Sequence, residues 1–119
     1  MKFILERQHH LIVIALALVS ARAANAAYEG SQIVEVKGYG HCSLAVPSTC
    51  LAKHVRDFLY NGTLPSEYTR CDVDGPYFIK PGNDSAKVTI PRAHFDDPED
   101  QRIHLAQVEI AQDLTWPWF

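Results

Sequence analysis

The chain has 119 residues, of which 47% are hydrophobic and 21% are charged, and its formal net charge is −3 at pH 7. This length suits one domain at most, and the balance is typical of a globular chain rather than a disordered one. The small negative charge gives no support for binding to nucleic acid or to an anionic membrane surface. We therefore expect no nucleic-acid partner, and the composition leaves the oligomeric state open.

The first 26 residues resemble a secretory signal. A basic start precedes the uninterrupted apolar run LIVIALALV over 11–19, and small residues follow in an A-x-A pattern over 21–27. The apolar run is shorter than the roughly 20 residues that a membrane span needs. We expect a leader over 1–26 and a secreted protein. The alternative is a buried strand followed by a helix, because 20–30 is rich in alanine and ends at a glycine.

The next segment alternates in polarity and then breaks at glycines. Residues 31–38, SQIVEVKG, predict a strand that ends at Gly38. Gly38 and Gly40 break any regular element, so a loop follows, and it carries His41. Two interpretations remain open for His41: a catalytic imidazole at a strand end, or a solvated side chain in an ordinary surface turn.

A helix is predicted over 49–62. Ser48 or Thr49 can cap its first turn, because a hydroxyl accepts from the unpaired amides there. Asn61-Gly62 is expected to end it. One apolar stripe is predicted to face the core, with members Leu51, Val55, Phe58 and Leu59.

The second half is less regular until its last helix. Residues 63–78 are rich in turn residues and predicted to be extended, and AKVTI at 86–90 is a short strand candidate. A final helix is predicted at about 97–114, with Asp97 as its cap and Pro98 at its first position. Its apolar positions at helical spacing are Ile103, Ala106, Ile110 and Leu114.

The polar residues and cysteines complete the set of candidates. There are three cysteines, so an exported chain can form one disulfide and leave one cysteine over. No C-x-x-C occurs and the histidines are scattered, so neither a metal site nor a cofactor is expected.

Sequons at Asn61 and Asn83 fit a glycosylated protein. A surface pair is expected between His54 and Asp57.

His94 and His104 are the two histidines of the second half, and both are expected to be solvated.

A series of motifs follows the predicted strand. GYGHCSLAVPSTC at 38–50 is followed by a helix, by GTLP at 62–65 and by a cysteine at position 71. Their order and spacing over 18–76 resemble the C-terminal region of secreted α/β-hydrolases of the tripeptidyl aminopeptidase-like group, relatives of proline iminopeptidases. In that family the last strand delivers a G-x-G-H-x-S-like loop, and its histidine completes a Ser-Asp-His triad. The resemblance implies that His41 is the general base of peptide or related acyl hydrolysis.

The other two triad members do not accompany His41. In this fold the nucleophile and the acid precede the histidine along the chain. No G-x-S-x-G occurs, and the acids before residue 41 are only Glu6, Glu29 and Glu35. We expect a fragmentary chain that is inactive alone and takes a peptide-like substrate only if a hydrolase body supplies serine and aspartate.

The resemblance also implies a Cys50–Cys71 disulfide, with Cys42 as a small packing residue or the partner of a cysteine elsewhere. The expected fold is thus α/β: a C-terminal fragment of an α/β-hydrolase with helix, last strand, His loop and helix. An irregular tail over 77–119 with a final helix follows it. The alternative is a small secreted, disulfide-stapled protein that binds a partner and catalyses nothing.

Overall fold

The computed structural model describes residues 2–5, 18–38, 47–75 and 92–114, with only the backbone described for the first range. Helices and strands alternate along these ranges, as expected for an α/β chain. The elements, in chain order, are β1 (Lys2–Leu5), α1 (Leu18–Ala27), β2 (Gln32–Lys37), α2 (Thr49–Asn61), β3 (Thr69–Asp72) and α3 (Pro98–Leu114). No helix in these ranges is both long and apolar enough to cross a membrane.

The three strands form one sheet with β2 at its centre. β1 pairs antiparallel with β2, so part of the predicted leader lies on the sheet. β3 pairs parallel with β2, in a register from Val34 opposite Thr69 to Lys37 opposite Asp72. The parallel pair needs a crossover connection, which α2 supplies. The carboxyl ends of β2 and β3 therefore meet at one edge of the sheet, and this edge positions the candidate site.

β2 is buried on both of its faces, as expected for a central strand of an α/β sheet. Val34 and Val36 pack in a cluster with Leu51 of α2 and Cys71 of β3. On the other side, Ile33 packs against Ala21 and Ala24 of α1. The alternating run therefore marks the main strand correctly, and the two helices cover it from opposite sides.

The stretch predicted to be extended, 63–78, contains β3, which adds a parallel neighbour to β2. Only Cys71 of the four β3 residues is buried, and the others are polar. Strand pairing here depends on backbone hydrogen bonds to β2 and on the path of α2, neither of which leaves an apolar pattern in the sequence.

The ends of α2 follow the predicted capping. Ser48 has an extended backbone, and its side chain accepts from the amide of Leu51. Gly62 adopts a left-handed conformation with φ 64°, and its amide donates to carbonyls of the last turn.

The apolar stripe predicted for α2 was wrong at Leu59, which is 59% exposed. Leu59 lies in the last turn, beyond the part of α2 that covers the sheet.

The start of α3 also agrees with its prediction, whereas its buried face does not. Asp97 caps the helix, with its carboxylate accepting from the amide of Glu99 at 2.8 Å. The buried positions are His104, Val108 and Ala111, while Ile110 is 45% exposed. The predicted apolar positions therefore differ from the buried ones, because His104 lies on the buried face of the helix although a surface position was expected for it.

Candidate functional site at the carboxyl edge of the parallel strands

The loop that carries His41 begins and ends at the carboxyl edge of β2 and β3. Gly38 follows β2 directly, and Pro47 accepts a hydrogen bond from the amide of Asp74, just after β3, at 2.9 Å. His41 and Cys42 lie outside the described residues, so the structure gives only the two anchors of their loop. Both anchors lie at the carboxyl edge of the parallel strand pair.

Gly38 allows the end of β2 to approach the segment after β3 closely. A Cβ placed on Gly38 would lie 3.0 Å from Cγ1 of Val73, tighter than real Cβ contacts normally are. Glycine, which has no Cβ, is the residue that permits such a close approach of the backbone to Val73.

The carboxylate of Asp74 is the centre of a buried hydrogen-bond network at this edge. Its Oδ2 accepts from the backbone amide of Thr49 at 2.9 Å and from the Thr49 hydroxyl at 2.6 Å. It also lies 3.0 Å from Nδ1 of His104, with the Asp74 side chain only 8% exposed. One carboxylate thus joins α2, the segment after β3 and α3.

His104 is buried, with a side chain that is 1% exposed, so the expectation that it is solvated was wrong. Its Nε2 accepts from the amide of Ala93 at 2.8 Å. Nδ1 must then carry the proton and donate it to Asp74, which defines one neutral tautomer. The Phe95 ring packs beside it, with centroids 5.3 Å apart. His94, in contrast, is exposed as expected.

The His104–Asp74 pair has the orientation of the acid and base in a catalytic triad, but its chemistry differs. A general base needs a ring nitrogen free to take a proton. Here Nε2 is already occupied by the Ala93 amide, so the pair as it stands holds α3 in place rather than moving protons. The only sequence signal for it was the position of His104 on the same helical face as Val108 and Ala111.

A cleft of about 600 Å³ opens beside this network, between α2, the end of β3 and the start of α3. Its charges are largely paired. Lys53 contacts Asp100 at 2.5 Å, and this hydrogen bond raises the Lys53 pKa. The lining residues are Thr49, Cys50, Lys53, His54, Asp57, Arg70, Asp72, Val73, Asp74, Phe95 and Asp100.

Ion pairs beside the cleft join α2 to the first turn of α3. Arg56 contacts both Glu99 and Asp57. The hydrogen bond that Arg56 donates to Glu99 is the main reason that the Arg56 pKa is raised, and the one it donates to Asp57 adds to it. Asp57 therefore pairs with Arg56, and the structure gives no contact for the predicted pair of His54 with Asp57.

A disulfide joins Cys50, in the first turn of α2, to Cys71 of β3, with Cα atoms 5.6 Å apart. This is the pairing that the family resemblance implied. His54 lies one helical turn after Cys50, and its ring reaches the same sulfurs: one ligand atom from each of the three residues lies within 4.8 Å of the others.

A second polar cluster surrounds Tyr68, where α1 lies near β3. The Tyr68 hydroxyl accepts from Arg22 of α1 at 2.7 Å and from Arg70 of β3 at 3.5 Å. Both guanidinium groups also lie over its ring, at 5.7 and 5.1 Å from the centroid. The hydrogen bond from Arg70, followed by that from Arg22, lowers the Tyr68 pKa. Tyr68 has φ 58°, so its contacts hold a backbone conformation that is unfavourable for tyrosine.

Two residues before position 41 that could serve as triad partners, Ser31 and Glu35, lie away from the carboxyl edge of β2. Ser31 precedes β2, at the amino end of the strand, and its hydroxyl donates to the Tyr28 carbonyl at 2.7 Å. Glu35 lies within β2 and contacts Arg70 at 3.5 Å. Neither residue lies at the carboxyl edge from which the His41 loop departs.

The family model described as TAP-like protein, an α/β-hydrolase family, matches residues 15–71, which is 57 of the 119 residues. No curated protein matches the chain, and no solved structure matches it. The matched region contains α1, β2, the His41 loop and α2, and ends within β3 at Cys71, whereas Asp74 and α3 lie beyond it.

Proposed function

Because residues 15–71 are a TAP-like α/β-hydrolase region, we propose that they are the C-terminal part of a serine hydrolase fold. In this proposal His41 is the histidine of the catalytic triad. It takes the proton from a serine nucleophile and returns it to the leaving group of a peptide or related acyl bond. The hydrolase-related region itself rests on the family match; the role of His41 is the proposal.

The position of the His41 loop carries this proposal. The loop leaves β2 at Gly38 and returns at Pro47 beside Asp74, at the carboxyl edge of a parallel strand pair. Open α/β sheets bind their ligands at this edge. The close approach of Gly38 to Val73 means that a side chain at the first residue of the loop would have to displace Val73.

We also propose that these 119 residues have no hydrolase turnover by themselves. The sequence contains no G-x-S-x-G, and its first aspartate, Asp57, follows His41. An imidazole without a nucleophile and an oxyanion hole cannot carry out acyl transfer. Activity would need a hydrolase body that supplies serine and aspartate and binds the peptide-like substrate.

A fluorophosphonate probe tests the proposed inactivity, because it labels activated serines covalently. We expect no labelling of the purified 119-residue protein, while a TAP-like hydrolase treated in parallel is labelled. Labelling of any serine in this chain would contradict the proposal.

A chimera tests the role of His41. Residues 15–71 replace the matching region of an active TAP-like hydrolase, and hydrolysis of an aminoacyl p-nitroanilide is measured. We expect activity from the chimera and a loss of at least about 10³-fold with His41→Ala. His54→Ala in the same chimera is the control and should retain activity. Equal activity of the His41→Ala and parent chimeras would exclude a triad role.

An extracellular location is part of the same proposal. It is supported by the Cys50–Cys71 disulfide, by the signal-like residues 1–26 and by the exposure of Asn61 at the end of α2. Asn83, the second sequon, lies outside the described residues. Expression in a secreting eukaryotic cell should give a glycosidase-sensitive mass shift that Asn61→Gln reduces. Retention of the chain inside the cell without glycan would contradict this location.

A non-catalytic secreted binding protein is the second candidate. The observation that favours it is α3, which lies outside the family match and yet is joined to Asp74 by the buried His104. The genomic sequence upstream of the Met1 codon distinguishes the two. An open frame encoding G-x-S-x-G and a triad aspartate favours the hydrolase, and a promoter directly upstream favours the binding protein.

A further inference from the structure

Three side chains with metal-binding atoms meet where α2 packs on β3. Cys50 and His54 are one helical turn apart, so both project from the same face of α2. Cys71 reaches this face from β3, and its side chain is buried at 1% exposure. One ligand atom from each residue lies within 4.8 Å of the other two.

We propose that reduction of the Cys50–Cys71 disulfide converts this group into a zinc site with two thiolates and one imidazole. Zinc prefers sulfur and nitrogen ligands in a tetrahedron, with bonds of about 2.3 Å to sulfur and about 2.0 Å to nitrogen. Such a tetrahedron separates its ligand atoms by about 3.5–3.8 Å. In the disulfide the two sulfurs are bonded to each other, so they must separate once the bond is reduced. Rotation of the two cysteine side chains, with the His54 ring already within 4.8 Å, then brings the three ligand atoms to this spacing.

The conversion balances with a dithiol as the reductant. The dithiol transfers two electrons and two protons to the disulfide, forms its own disulfide, and leaves thiols on Cys50 and Cys71. Binding of Zn²⁺ then releases one proton from each thiol, while His54 binds through a neutral ring nitrogen. In the oxidised protein both sulfurs are committed to each other, so no site exists.

The cleft provides access to the fourth coordination position. Cys50 and His54 both line it, whereas Cys71 closes the site from the sheet side. The cleft is lined by four aspartates and by two cations, Lys53 and Arg70, so its net charge is negative and favours a dication. Three protein ligands with one position open to a cleft leave room for water or a small anion on the metal.

Cobalt(II) titration of the full chain tests the proposal, because cobalt replaces zinc and gives thiolate charge-transfer absorption. After dithiol reduction and removal of the reductant under anaerobic conditions, we expect one cobalt per chain, displaced by zinc. The oxidised protein should give no such absorption. His54→Asn should weaken binding by about tenfold or more, while the matched variants Cys42→Ser and His94→Asn should bind as the parent does.

Far-UV circular dichroism, recorded alongside, separates a folded site from metal bound to an unfolded chain. We expect the reduced, zinc-loaded protein to keep the helical signal of the oxidised protein. Three outcomes would overturn the proposal: no thiolate charge transfer, equal affinity in His54→Asn, or a helical signal lost on reduction that zinc does not restore. None of these outcomes bears on the role of His41, so this inference stands apart from the proposed hydrolase function.

Discussion

Nδ1 of His104 lies 3.0 Å from Oδ2 of Asp74, and this contact joins α3 to the segment that follows β3. Asp74 is also the residue whose amide donates to Pro47, where the His41 loop returns to the sheet. The helix outside the matched region therefore contacts the candidate site through a buried pair. Several measurable properties of the chain depend on this pair and on the contacts around it.

Replacing His104 with alanine should destabilise the chain by about 2–4 kcal/mol. The change leaves a cavity beside Phe95 and removes the partners of both the Ala93 amide and the Asp74 carboxylate. Urea unfolding followed by circular dichroism measures the loss. His94→Ala is the matched control and should change stability by no more than about 0.5 kcal/mol, because its side chain is exposed. Similar losses in both variants would show that the burial of His104 does not stabilise α3.

A double-mutant cycle should detect direct coupling between His104 and Asp74. Asp74→Ala alone removes the acceptor of Thr49 as well as that of His104. If the pair interacts as the 3.0 Å distance indicates, the double variant should be less destabilised than the sum of the single variants, by about 0.5–3 kcal/mol. Additive losses, measured by the same unfolding experiment, would mean that the two side chains act independently.

Gly38→Ala should destabilise the carboxyl edge by about 1–3 kcal/mol, because the new Cβ would meet Val73 at 3.0 Å. Val73→Ala in the same chain should recover part of this loss by making room. Gly62→Ala is the control: its cost comes from the positive φ of 64° and not from a neighbour, so Val73→Ala should not relieve it. Without rescue at Gly38, the close approach to Val73 would not be the cause.

The Tyr68 phenol should ionise at a lower pH than an ordinary tyrosine, whose pKa is 10.0, because Arg70 and Arg22 donate to its oxygen. Since the folded-state pKa is lowered, the interaction with the phenolate adds stability only at alkaline pH. This contribution is lost as the pH falls through the folded-state pKa. Near-ultraviolet absorbance, with the Tyr68→Phe titration subtracted, isolates the signal of this residue.

Arg70→Gln should move that titration to higher pH, and Arg102→Gln, on the exposed side of α3, should leave it nearly in place. An identical Tyr68 titration in the Arg70→Gln variant and the parent would exclude Arg70 as the main cause.

Removal of the disulfide should cost about 3 kcal/mol, because the bond closes a loop with a sequence separation of 21 residues. The variant for this measurement is Cys50→Ser with Cys71→Ser, unfolded in urea without metal. Cys42→Ser is the matched control, and the parent disulfide should remain intact in it, with little change in stability. A large loss in the control would indicate that Cys42 has a structural role of its own.

Local patterns of the sequence were sufficient to predict the helices and the main strand. Ser48 and Gly62 bound α2, and Asp97 begins α3, because capping depends on hydrogen bonds within a few residues. The alternation of 31–38 marked β2 for the same reason: it is a property of neighbouring residues. The family motifs between Gly38 and Cys71 likewise lie in continuous sequence, and the family match spans them.

Only the tertiary structure decided which polar residues become buried and which strands pair. Asp74 and His104 are 30 positions apart, so no local pattern in the sequence records their contact. β3 is short and mostly polar, so its place beside β2 depends on the crossover through α2. The physical reason is the same in both cases: a buried polar group or an edge strand is stabilised by partners distant along the chain, and local periodicity carries no record of them.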